Sequence, residues 1–279
     1  MIRRVLLGIG GTPFSGVAIQ RAVEAARQSG ASLTAVTVLD EDRLSRVGPI
    51  PLGGAAAAAD LREHRLEVTR EQIEEALETL KRCCADQGVP ITIYREQGSP
   101  FHLMIEYARY HDLAVFGLRS MFEYNVLYGS DVEPATFLRQ LIEGGVRPLI
   151  ATSSQLRPIR RVLMAYSGSV QSAESMQQFM HSQLWPDAIL RIVVCGHPQD
   201  QAERMLTDAA IYCRAHGYEP EIQYRAGDPK QGILAEAAEW GADMLVIGSS
   251  TQSWLAAIFR ETTMLHIVRN AEYPLFVGR

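Results

Sequence analysis

The chain has 279 residues, of which 47% are hydrophobic and 21% charged, and its formal net charge is −5. That composition is ordinary for a globular protein. The acidic balance and the lack of a long basic run argue against a dedicated nucleic-acid surface, and no apolar run approaches the roughly 20 residues of a membrane helix. Cys83, Cys84, Cys195 and Cys213 lack metal-site spacing, and the N-terminus leads directly into an apolar strand with no cleavable signal. A reduced, cytoplasmic setting is therefore expected.

Val5 to Gly8 is short and continuously apolar and stops at Gly10-Gly11-Thr12-Pro13, which predicts a buried parallel strand followed by a turn. Ala18, Ala22, Val23 and Ala26 mark one face of a helix ending near Gly30, and Leu33 to Leu39 is the second strand. Pro49, Pro51, Gly53, Gly54 and an alanine run predict a loop leading into a helix. That helix carries Leu66, Ile73, Leu77, Leu80 and Cys84 and ends at Gly88. A third strand at Ile91–Tyr94, a helix over 100–111, a fourth strand at Leu113–Phe116, a helix over 136–143 and a strand at Leu149 follow. After the short linker 153–158, strands are predicted near 162–165, 190–195, 221–224, 244–247 and 275–277. The helices between them fall near 172–182, 202–216, 231–240 and 262–269.

The second series repeats the first. Arg3-Arg4-Val5-Leu6-Leu7 returns about 157 residues later as Arg160-Arg161-Val162-Leu163-Met164, and Gly98-Ser99-Pro100 returns as Gly227-Asp228-Pro229. Asp112-Leu113-Ala114-Val115-Phe116-Gly117 corresponds to Asp243-Met244-Leu245-Val246-Ile247-Gly248, and Pro148-Leu149-Ile150 to Pro274-Leu275-Phe276. One α/β unit is written twice. Alternating strands and helices require parallel sheets with right-handed crossovers. The expected fold is therefore two doubly wound, Rossmann-like domains, at residues 1–153 and 159–279. Each has a five-stranded parallel sheet in the order 3-2-1-4-5, and the first carries insertions near 40–65 and 121–134.

Strand, Gly/Ser turn, helix, later Gly-x-Pro, then Ala242-Asp243-Met244-Leu245-Val246-Ile247-Gly248-Ser249 resembles the universal stress protein family. Ile267-Val268-Arg269-Asn270-Ala271 and Tyr273-Pro274-Leu275-Phe276-Val277 fit as well, and both halves align, so the chain resembles a tandem member. The resemblance implies pairing through the last strands, 149–151 and 275–277, as an intramolecular pseudo-dimer, and a homodimer is a further option. It also implies that an adenine nucleotide is bound by some members and not by others.

Nucleotide-binding members resemble one another at an Asp ending strand one and at Gly-x2-Gly-x9-Gly-Ser/Thr after strand four. Glycines there let backbone N–H groups approach phosphates, and the hydroxyl opens a helix whose N-terminus favours anions. The second copy offers Gly248, Thr251, Glu261 and Thr262, with Ser167 in place of the Asp and Cys195 ending its strand two. A carboxylate about 4 Å from a phosphate charge costs roughly 4 kcal/mol at an effective dielectric near 20. No ATP binding is expected there. The first copy offers Gly10 in place of the Asp, then Gly11, Thr12, Val38 at the end of strand two, Gly117, Ser120 and Thr136. Gly129-Ser130 is a rival match, and Asp131 and Glu133 bring negative charge nearby.

Thr136 and Thr262 serve equally as helix caps, and Asp112 and Asp243 are expected at solvated loop ends rather than in catalysis. The seven histidines show no metal-ligand spacing, and no nucleophile–base pair stands out. The reading is a non-catalytic, cytoplasmic universal stress-like protein acting by interaction with an unidentified protein partner or by small-ligand binding, with no cofactor, metal, nucleic acid or membrane. Two alternatives stay open. One is an adenine-nucleotide sensor or slow ATP hydrolase using the first domain, with ATP as its ligand. The other is a flavin or electron-transfer module.

Overall fold

A computed structural model describes residues 1–10, 15–45, 53–117, 140–146, 148–248 and 273–278. The chain divides into two compact units, Ile2–Val146 and Arg147–Arg279, the latter including Met1. In the first unit β1 (Arg4–Ile9), α1 (Ser15–Ser29), β2 (Ser32–Leu39), α2 (Glu41–Leu44), α3 (Ala55–Gln87), β3 (Ile91–Gln97), α4 (Pro100–Ala108) and β4 (Leu113–Gly117) follow in order. Its strands lie in the order β3-β2-β1-β4, each parallel to its neighbour. Val5, Leu6 and Leu7 are each 0% exposed. Since successive side chains in a strand point to opposite faces, both faces of β1 are covered. The edge strand β3, by contrast, is half-exposed along its length.

The alanine run that reads as part of a loop is helical. α3 begins at Ala55 and continues for 33 residues. Alanine loses no side-chain entropy on entering a helix, so the helix propagates upstream of the apolar stripe that first reveals it. The predicted helix over 136–143 is seen at residues 140–143, and its earlier part lies outside the described residues.

The second unit contains β5 (Leu149–Thr152), β6 (Arg161–Ala165), α5 (Val170–Ser182), β7 (Ile189–Cys195), α6 (Gln199–Ala215), β8 (Glu221–Arg225), α7 (Pro229–Trp240), β9 (Met244–Ile247) and β10 (Leu275–Val277). Its parallel strands run β8-β7-β6-β9-β10, the expected order 3-2-1-4-5. The helix predicted over 262–269 lies outside the described residues. Glu236 of α7 is 2% exposed and accepts from Arg191 of β7 at 2.5 Å and Arg225 of β8 at 2.6 Å. A carboxylate buried that deeply requires such paired donors.

β5 joins this unit by antiparallel pairing with β10, setting Leu149 opposite Val277, Ile150 opposite Phe276 and Ala151 opposite Leu275. All six side chains are buried, and Phe276 meets Phe179 edge-on at 5.3 Å. An apolar edge strand is thereby covered. The two strands expected to lie close are hydrogen-bonded partners.

A lysine at either central position would place an unpaired charge in this layer. Ile150→Lys and Phe276→Lys are each expected to lower stability by roughly 3 kcal/mol or more. Urea denaturation checks this; a midpoint equal to the parent's would contradict the pairing.

Candidate functional site

The carboxyl ends of the strands form the candidate site, because a parallel sheet leaves its crevices there. In the first unit Ile9 lies opposite Thr37 and Gly8 opposite Phe116. Gly10 follows the last residue of β1, and Val38 and Gly117 are the next residues of β2 and β4, so the register brings all three to one rim, and all three are buried. The Ser15 hydroxyl donates to the Gly10 carbonyl at 2.8 Å, tying the start of α1 to the end of β1. Gly11, Thr12, Ser120 and Thr136 lie outside the described residues, as do Gly129-Ser130, Asp131 and Glu133.

Gly8 owes its identity to its neighbour. A Cβ there would sit 2.7 Å from the Phe116 ring and 3.2 Å from the Met104 sulfur. In the second copy Ala165 takes the place of Gly8 and Ile247 the place of Phe116. The wide ring and the missing side chain thus occur together, and so do the slimmer aliphatic residue and the methyl group.

In the second unit the same rim is filled by the chain itself. The Ser167 hydroxyl lies 3.0 Å from that of Ser169 and 3.3 Å from that of Ser172. Ser169 caps α5 by accepting from the Ser172 backbone N–H at 3.2 Å, and the Ser172 hydroxyl donates to the Ser169 carbonyl at 2.9 Å. The cap takes up one of the first N–H groups of a helix end that favours an anion. Gly248 is buried against the first turn of α5, where a Cβ would meet the Ser172 nitrogen at 2.8 Å and the Gln171 carbonyl carbon at 2.9 Å. Helix–strand packing therefore requires a glycine at Gly248, whatever binds nearby. One turn on, the Ser175 hydroxyl donates to the Ile247 carbonyl at 2.8 Å and accepts from the Gly278 N–H at 2.9 Å, joining the ends of β9 and β10.

Cys195, at the end of β7, is covered by α7. A Cβ on Gly232 would lie 3.0 Å from its sulfur, and burial pushes the thiol up to about 11, which keeps it protonated and unreactive. Cys84 is likewise buried and pushed up to about 11 by burial. Thr251, Glu261 and Thr262 lie outside the described residues. Among the described residues no group of three or more His, Cys, Asp or Glu side chains could hold a metal ion, and no helix is long and apolar enough to cross a membrane.

The repeated Asp112 and Asp243 have a specific structural task that spacing alone did not reveal. One oxygen of Asp112 accepts from the backbone N–H groups of Arg3 and Arg4 at 2.8 and 2.9 Å. One oxygen of Asp243 accepts from those of Arg160 and Arg161 at 2.9 and 2.8 Å. Each carboxylate seats the first strand of its copy against the fourth, far from the carboxyl rim. Next to Asp112, half-buried His111 engages the Tyr107 carbonyl through Nδ1 at 2.6 Å, and its Nε2 is buried without a hydrogen-bond partner. Burial is the main cause holding its pKa below the ordinary imidazole value.

Two tests follow from these contacts. Gly8→Ala is expected to lower stability by about 1–3 kcal/mol through overpacking, and adding Phe116→Ile should restore most of it. Equal destabilisation in single and double variants by urea denaturation would contradict the pairing. The second test concerns pH. The folded state holds His111 neutral where the unfolded chain would protonate it. Stability is therefore complete above the unfolded value near 6.5 and declines as pH falls through it toward the lower folded value. On moving from pH 7.5 to 5.5 the parent should lose more stability than His111→Leu; identical losses would refute the assignment.

The universal stress protein family model matches residues 1–120 and 196–279. The chain is 21% identical over 294 residues to universal stress protein Slr1230 of Synechocystis, covering 100% of both chains. Its fold is similar to that of a universal stress protein from Archaeoglobus fulgidus, at 16% identity and a TM-score of 0.68, over 99% of this chain and 96% of that one. A putative universal stress protein from Pseudomonas aeruginosa superposes with a TM-score of 0.62 at 15% identity, over 99% and 93% of the two chains. With matched segments at both ends and more than half of its residues covered, the chain belongs to the universal stress protein family.

Proposed function

We propose that this universal stress protein is a non-catalytic, cytoplasmic binding protein that acts in a stress response through a protein partner or a small ligand. The observation that carries this reading is the closed rim of the second unit. There α5 lies on Gly248, and the Ser167, Ser169 and Ser172 hydroxyls are bonded among themselves. A phosphate would have to displace both the helix backbone and the cap. The lone carboxylates that recur in both copies serve the backbone, which leaves them no role as general acid or base.

A second reading is favoured by the first unit. Gly10, Val38 and Gly117 converge at its rim and bring two glycine backbones together, the arrangement a nucleotide would use. On that reading an adenine nucleotide binds through Gly10, Gly11, Thr12, Val38, Gly117, Ser120 and Thr136, and the protein works as a nucleotide sensor or slow ATP hydrolase. The second copy stays empty on either reading.

Mass spectrometry of the denatured, purified chain is expected to find no stoichiometric nucleotide or flavin, and calorimetry with ATP at most weak binding at a single site. Weak binding that is lost in Thr136→Ala and kept in Thr262→Ala would favour the sensor reading. Micromolar binding that is lost in Thr262→Ala would contradict both.

A further inference from the structure

On the surface of the second unit, away from the strand ends, two histidines from different helices meet. His181 occupies the last turn of α5, and His216 caps the C-terminus of α6. Their ring centroids are 5.0 Å apart, with the planes inclined at 65°. Tyr212, one turn before His216, places its ring 4.5 Å from the His216 ring and its hydroxyl 3.3 Å from His181 Nε2. Sequence spacing could not reveal this pair, because the two rings come from separate helices and are brought together only by their packing.

We infer that His181 and His216 form a two-imidazole chelate for a divalent ion of the zinc type, bracing the C-terminal ends of α5 and α6. The spacing fits. Two imidazoles on one tetrahedral ion, at about 2.0–2.1 Å from each nitrogen, have ring centres about 5 Å apart. The electrostatics fit as well. Both rings stand at helix C-termini, the ends at which the helix dipole favours a cation. The Tyr212 hydroxyl holds the His181 ring at Nε2, the kind of outer contact that presets a ligating imidazole. Each imidazole donates one lone pair, and water completes the coordination sphere. Imidazole donors select zinc, copper and nickel over magnesium and calcium, which prefer oxygen.

The test is a calorimetric titration of the full chain with zinc ion, with magnesium as the comparison metal. The parent is expected to bind one zinc per chain and no magnesium. His181→Gln and His216→Gln should each weaken zinc by at least about tenfold, while His64→Gln and His102→Gln, on exposed positions of the first unit, should leave it unchanged. Zinc should also raise the melting temperature of the parent and not of the two site variants. No zinc binding by the parent, or parental affinity in either site variant, would overturn the assignment.

Discussion

The close passage of α5 over the ends of β9 and β10 is the constraint on which the second unit depends. Its first turn leaves no room for a side chain at Gly248, and Ser175 fastens both strand ends to the helix with a single hydroxyl. A buried hydroxyl that donates once and accepts once has its proton and one of its lone pairs engaged. The same contact decides what the rim can do. A helix N-terminus is an anion site through its free N–H groups, and here the Ser169 hydroxyl takes up that of Ser172.

The two copies have diverged unevenly, and the pattern separates positions that hold the fold from those that could hold a ligand. The carboxylate that receives two successive backbone N–H groups is present in both, as Asp112 and Asp243. The buried cores of β1 and β6 are similarly apolar. At the rim the copies differ, with Gly10 in one and Ser167 in the other. Gly8 with Phe116 and Ala165 with Ile247 fill comparable places by different divisions of volume, as close-packed interiors require.

Much of the architecture was legible in the sequence, because buried parallel strands read as continuous apolar runs and the internal repeat supplied each assignment twice. β9 and β10 have the predicted limits of 244–247 and 275–277. The start of α3 was not legible, since Ala55–Ala59 carries no periodicity to distinguish helix from loop. At the strand ends of the first unit, the register sets Gly10, Val38 and Gly117 on one rim, and Gly11, Thr12, Ser120 and Thr136 lie outside the described residues. The reason for Gly248 could not be read, because the α5 backbone that excludes a side chain there lies some 75 residues earlier in the chain. The serine cluster was hidden for a different reason: Ser167, Ser169 and Ser172 read equally well as loop, cap or ligand until their mutual bonds are seen.

The central claim is that the chain's own helix closes the carboxyl rim of the second unit. Hydrogen exchange on the full-length protein, with and without millimolar ATP and magnesium, tests it most directly. The account predicts that the amides of Ser167, Ser172 and Gly248 exchange at the same rate in both conditions. Slowed exchange at those amides on adding nucleotide would show that the rim opens to a ligand and would contradict it.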